Sequence, residues 1–207
     1  MKQSTIIGAL LVVFLGIAAL LGVCEIISKE VSGGIVRLHV IANSNSQHDQ
    51  AVKLSVRDEI LRISRELSDG KAAGLSFAKM HEDLLVKTAN LVLKERNCDY
   101  TCRIEMGNFF FPTRKYASLT LPAGNYNAVR IILGEGKGEN WWCVMYPPLC
   151  FTQNAAGALT KEQHEQLSKT LGETGYRLAT EESIVLKPAF KAVEIWENVK
   201  QRFTKKR

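Results

Sequence analysis

The chain has no low-complexity tract and no internal repeat, so linker-like and solenoid architectures are set aside. It has four histidines and five cysteines but no C-x-x-C spacing, which leaves a four-cysteine zinc site without a recognisable scaffold. No carboxylate pair, metal-ligand cluster or nucleophile–base spacing stands out, so the residues name no enzyme chemistry and no cofactor. Net basic excess is scarce outside one region. The net charge is +6, and Lys187–Arg207 holds seven basic residues against Glu194 and Glu197. The body is therefore close to neutral, which argues against a nucleic-acid-binding face.

Charge is also missing from Ile6–Val23, where eighteen residues follow a Met1–Thr5 stub carrying Lys2. As a helix this run would span about 27 Å at ~1.5 Å per residue, close to the ~30 Å hydrocarbon core. No A-x-A motif follows it, and Val23 is the wrong size before Cys24 for lipoprotein processing. The reading is an uncleaved signal anchor, with Lys2 kept in the cytoplasm and the remainder exported. The expected organisation is a stub at 1–5, an anchor at 6–23, a linker at 24–34, one domain at 35–200 and a basic tail at 201–207.

The exported part opens with a strand over Ile35–Ile41, with Val36, Leu38 and Val40 on one face and Arg37 and His39 on the other. Asn43-Ser44-Asn45-Ser46 ends it, and Ser46 with Asp49 has capping-box spacing. Val52, Val56, Ile60, Ile63 and Leu67 then form a helical stripe ended by Asp69-Gly70. A second helix is predicted over 76–96, with Phe77, Met80, Leu84, Leu85, Leu91 and Val92 inward and Asn97 as its C-cap. From Tyr100 the period falls to two, giving strands around Cys102–Met106, Ala117–Leu121, Val129–Leu133 and Trp141–Tyr146. Helices follow at 160–170 and at 188–200, the latter burying Val193, Trp196 and Val199. This order predicts an α+β fold, an antiparallel sheet packed against helices.

Leu121–Cys150 concentrates proline, glycine, tryptophan and cysteine. Gly134-Glu135-Gly136-Lys137-Gly138 joins two strand-like runs and does not open a helix, so a hairpin loop is expected and a phosphate cradle is not. Export places Cys98, Cys102, Cys143 and Cys150 in an oxidising setting, where four cysteines allow three pairings. Pro147-Pro148 can fold the chain so that Cys143 meets Cys150, closing a loop worth about 2–3 kcal/mol. Two candidate contact surfaces emerge. One is Asn43, Ser44, Asn45 and Asp49 with Arg37, His39 and Arg57 nearby. The other is Asn140-Trp141-Trp142, where adjacent strand residues face opposite ways, one tryptophan toward the core and one toward a partner. Rival readings are a cell-envelope cysteine hydrolase using Cys143 and a structural protein binding wall polymer.

Two segments, RLHVIANSNSQHDQAVKLSVRDEIL from Arg37 and FPTRKYASLTLPAGNYNAVRIILGEGKGENWWCVMYPPLCF from Phe111, resemble the stage II sporulation protein R family of endospore-forming bacteria. The resemblance implies a signalling protein that is not an enzyme, made in the forespore and exported into the space between the two membranes. As a membrane-anchored or secreted protein there, it would trigger a membrane-embedded aspartic protease that processes pro-sigma-E in the mother cell. The implied partners are that protease and, through the N-terminal helix, the membrane; no small-molecule substrate is implied. Cys98 and Cys102 lie outside the matching segments.

Overall fold

The computed structural model describes residues 2–67, 74–116, 118–150 and 159–180, with the side chains of the first helix described in part. The elements run α1 (Lys2–Gly33), β1 (Val36–Ile41), α2 (Gln47–Leu67), α3 (Leu75–Met80), α4 (Glu82–Glu95), β2 (Cys102–Phe111), β3 (Arg114–Tyr116), β4 (Leu119–Leu121), β5 (Gly124–Leu133), β6 (Asn140–Tyr146) and α5 (Lys161–Thr180). This is an α+β fold. The Asp69-Gly70 stop expected after the first amphipathic helix, the helix expected over 188–200, the basic tail and the strand position of Ala117 lie outside the described residues.

The main sheet is mixed, with strand order β2-β5-β1-β6. The antiparallel sheet expected from the sequence is corrected here, because β1 runs parallel to β5 and antiparallel to β6. Alternation identifies a strand but not its neighbours. All six β1 residues are buried, including Arg37 and His39, and such a strand belongs in the interior of a sheet. With β1 between β5 and β6, the Gly134–Gly138 connection is not a hairpin turn and passes over the end of β1 instead.

One sheet face packs Leu38, Val40, Val129, Ile131 and Leu133 against Val52, Val56 and Ile60 of α2 and Leu85, Ala89 and Leu93 of α4. The opposite face joins Ile35, Tyr126, Ala128 and Val144 to Phe111, to Leu119 and Leu121 of the β3–β4 ribbon and to Leu167 and Leu171 of α5. The strand expected over Ala117–Leu121 is present as β4, and it pairs with β3, a short strand the sequence reading did not separate, with Tyr116 opposite Leu119.

The α2 stripe forms as predicted from Val52 to Ile60, although Leu67 is 40% exposed. The second predicted helix is broken at His81 into α3 and α4. Its buried side is Leu85, Thr88, Ala89, Val92 and Leu93, while Met80, Leu84 and Leu91 face out. Asn97 ends α4 in the left-handed region with φ of 57°, and the Cys98 amide reaches back to the Leu93 carbonyl. α5 is capped by a reciprocal Thr160–Gln163 pair and continues past 170 through a kink at Gly172.

Within α1, Ile7, Leu10 to Leu15 and Ile26 are exposed, whereas Val31 and the following Ile35 are buried in the domain. Among the described residues no helix is long and apolar enough to cross a membrane, so the anchor expected over Ile6–Val23 is not confirmed.

Candidate functional site

The turn after β1 is locked to the glycine-rich connection after β5. The Asn43 side-chain oxygen accepts the Glu135 amide at 2.9 Å, and its NH2 group donates to Asp49 at 3.0 Å. The Asn45 oxygen accepts the Glu139 amide at 2.7 Å. Backbone pairs complete the seam, Lys137 N to Asn43 O at 3.0 Å and Gly138 N to Ala42 O at 2.9 Å. Glycine is required here. Gly134 has φ of 53° and a Cβ there would lie 2.3 Å from Asn43 Oδ1; one on Gly138 would lie 2.2 Å from the Ser44 carbonyl oxygen.

Asp49 is the hub of this turn. The Ser46 hydroxyl caps its amide at 3.0 Å. Its carboxylate does not accept the Ser46 amide, as a full capping box would require, because that amide donates to the Ser44 hydroxyl; it accepts from Asn43, Ser44 and Tyr100. Burial alone would push its pKa up. The hydrogen bonds from Ser44, Tyr100, Asn43 and Ser46 outweigh burial and hold it below the usual carboxylate range. Burial and the Asp49 contact push the Tyr100 phenol up. Lys53 is buried beside the seam and donates to Gln50 and to the Glu139 carbonyl, with its own pKa lowered by burial.

The other candidate residues divide between the two sheet faces. Trp141 lies on the α2 side, where the Arg57 guanidinium sits 4.2 Å from its ring centroid. Trp142 lies on the opposite side and stacks on His39 with centroids 3.7 Å apart. Both tryptophans are half-buried, and Asn140 beside them is exposed. Arg37 and His39 share the Trp142 face, so Arg57 is not their neighbour. Arg37 is fully buried, 4.2 Å from the Phe111 centroid and 5.1 Å from that of Tyr126, and it donates to the Tyr116 hydroxyl. His39 is 5% exposed. Burial, with Arg130 and Arg37 close by, lowers its pKa to about 4 against a partial offset from an Asn140 hydrogen bond.

Phe111, Tyr116, Tyr126 and Arg130 were not singled out from the sequence, yet they build the surroundings of Arg37 and His39. A signal existed for one of them: Arg130 interrupts the apolar run from Ala128 to Leu133 in β5.

Cys143 and Cys150 form a disulfide with Cα atoms 5.5 Å apart, as expected, closed by a turn whose Cys150 amide reaches the Val144 carbonyl. The bridge occupies the Cys143 sulfur, and the register puts Cys143 opposite Leu38, on the face away from His39. His48, His81 and His164 bond to the Arg96 carbonyl, the Phe77 carbonyl and the Tyr176 hydroxyl. No nucleophile–histidine pair is therefore assembled around Cys143. Cys98 and Cys102 are free, Cys102 buried and its pKa raised by burial to about 11. Among the described residues no three His, Cys, Asp or Glu side chains converge as a metal site.

The family model for stage II sporulation protein R matches residues 32–156. That span runs from the end of α1 to just past the disulfide. It takes in the Asn43–Asp49 turn, the glycine seam and the Arg37–His39 face. A stage II sporulation protein R of Bacillus subtilis (strain 168) is 32% identical over 136 residues, covering 63% of this chain and 60% of that protein. No solved structure matches. With its strand core and both candidate surfaces inside the matched span, the chain belongs to the stage II sporulation protein R family.

Proposed function

We propose that this chain is an exported sporulation signal that activates a membrane-embedded aspartic protease, leading to pro-sigma-E processing in the mother cell. Membership in the family gives it a sporulation-related role, and the match over residues 32–156 is the observation that carries the reading. The matched segment spans 60% of the curated relative's length, so protease activation itself is the proposed part.

Three features support it. The exposed apolar residues Leu10 to Leu15 of α1 suit an N-terminal membrane anchor, with the domain on the outer side of the forespore membrane. A disulfide between Cys143 and Cys150 suits an exported domain. The Cys143 sulfur, tied into that bridge, is a poor nucleophile for a hydrolase. Activation requires that the chain bind the active arrangement of the protease more tightly than the inactive one, since equal affinity shifts nothing. Asn140, exposed beside the two half-buried tryptophans, marks the proposed contact edge. Co-expression with the protease and the sigma precursor in a non-sporulating host tests the reading. Cleavage that depends on this chain supports it, and cleavage indifferent to the chain refutes it.

A further inference from the structure

The sheet face turned away from α2 and α4 carries guanidinium N–H groups and an imidazole nitrogen that have no hydrogen-bond partner among the described residues. Arg37 is fully buried, and its Nη2 donates to the Tyr116 hydroxyl. Its Nε and Nη1 carry three of the five guanidinium N–H groups and have no partner among the described residues. His39, two residues on and on the same face, is 5% exposed and leaves Nε2 unpartnered. Arg130 stands in register with His39 on β5; its Nη1 pairs with Glu105 at 3.1 Å while its buried Nε is unpartnered. His39 and Arg130 are register partners, Arg37 lies two residues along β1 on the same face, and the Arg130 guanidinium sits 4.6 Å from the Phe109 ring centroid.

The aromatic rings meet part of this demand. Phe111, Tyr126 and Tyr116 lie 4.2, 5.1 and 5.6 Å from the Arg37 guanidinium and attract its charge. A ring face does not take the place of an acceptor for each N–H, and a buried charge is tolerated when paired and hydrogen-bonded. We infer that this face binds a carboxylate, seated against Arg37, His39 and Arg130 beside the β3–β4 ribbon. Phe111 and Trp142 meet edge to face 4.9 Å apart over the same ground. Guanidinium groups pair with carboxylates through charge-assisted hydrogen bonds. The carboxylate can belong to a free small acid or to an acidic side chain of a protein segment.

The groups facing His39 are Arg37 on its own strand, Arg130 on β5, Asn140 and Trp142 on β6 and Phe111 on β2, with Arg114 of β3 against Trp142. With cations on two sides and burial, the ring is neutral at pH 7. A bound anion stabilises the protonated ring, so its pKa rises on binding.

The experiment is an NMR titration of the full-length chain, following the Arg37 Nε–H and the His39 ring. The probes are sodium acetate, a capped peptide with a single glutamate, inorganic phosphate and sodium chloride. The expected result is a saturable shift of both groups with acetate or the peptide, a rise in the His39 midpoint, and little response to chloride. Arg130→Gln, which leaves Arg37 in its aromatic surroundings, weakens binding by about tenfold. Tighter binding of the peptide identifies a protein segment as the source, and equal or tighter binding of acetate identifies a free acid. Arg37 and His39 signals that ignore both carboxylates, or that respond equally to chloride or phosphate, overturn the inference. Arg37→Met is an additional check, and if it unfolds the native and Arg130→Gln titrations still decide.

Discussion

Replacing Asp49 tests whether the turn after β1 is held by its carboxylate. Asp49→Asn keeps the shape but places an NH2 where one of the Asn43, Ser44 or Tyr100 donors now points. A hydrogen bond to a charged group contributes roughly 1.5–3 kcal/mol, and one left unmade inside a protein costs about 1–3 kcal/mol. Ser44 is exposed enough to turn toward water, so the loss is carried mainly by Tyr100 and Asn43 and should total about 2–3 kcal/mol. Urea denaturation of the full-length chain, followed by tryptophan fluorescence, measures it. The pH dependence supplies a second reading. The folded carboxyl titrates below its unfolded value of about 3.9, so its stabilisation is complete above that value and disappears as pH falls through the folded pKa. The native protein should therefore lose stability on acidification more steeply than Asp49→Asn. A loss below about 0.5 kcal/mol, in the range of ordinary surface changes, together with an unchanged acid slope would refute the hub.

Other substitutions probe separate contacts. Gly138→Ala drives a methyl into the Ser44 carbonyl, and should cost about 2–4 kcal/mol in the same denaturation measurement, whereas Gly74→Ala, with open space around it, should cost little. Leu85→Ala should cost about 2–5 kcal/mol and Leu91→Ala within about 0.5 kcal/mol, because only the first is buried in α4. Cys150→Ser removes an eight-residue loop closure and should lower stability by about 2–3 kcal/mol; mass spectrometry of the native chain should show a gain of two hydrogens on reduction.

How far the sequence reached depends on the range of the interactions. β1 and α2 were legible because alternation and the spacing of Val52, Val56 and Ile60 are local signals read within one element. α4 was harder, since Leu84 and Leu85 are adjacent, as are Leu91 and Val92, and only packing on the sheet decides which member turns inward. The mixed sheet was invisible for a related reason: a period of two marks β5 and β6 as strands, but nothing local says that β1 enters between them. The Gly134–Gly138 run fits a hairpin loop by length, and its actual need for glycine arises from Asn43 and Ser44, about ninety residues away in the chain. The candidate residues were legible as polar or aromatic punctuation. Their partition was not, because Arg37 draws Phe111, Tyr116 and Tyr126 from three separate strands.

The central claim is that this chain signals to a protease. The most direct measurement is the fraction of sigma precursor cleaved in a non-sporulating host making the protease and precursor, with this chain exported or omitted. Cleavage should rise when the chain is present on the outer side of the membrane. Equal cleavage with and without it, at matched levels of the protease, would rule out signalling to the protease.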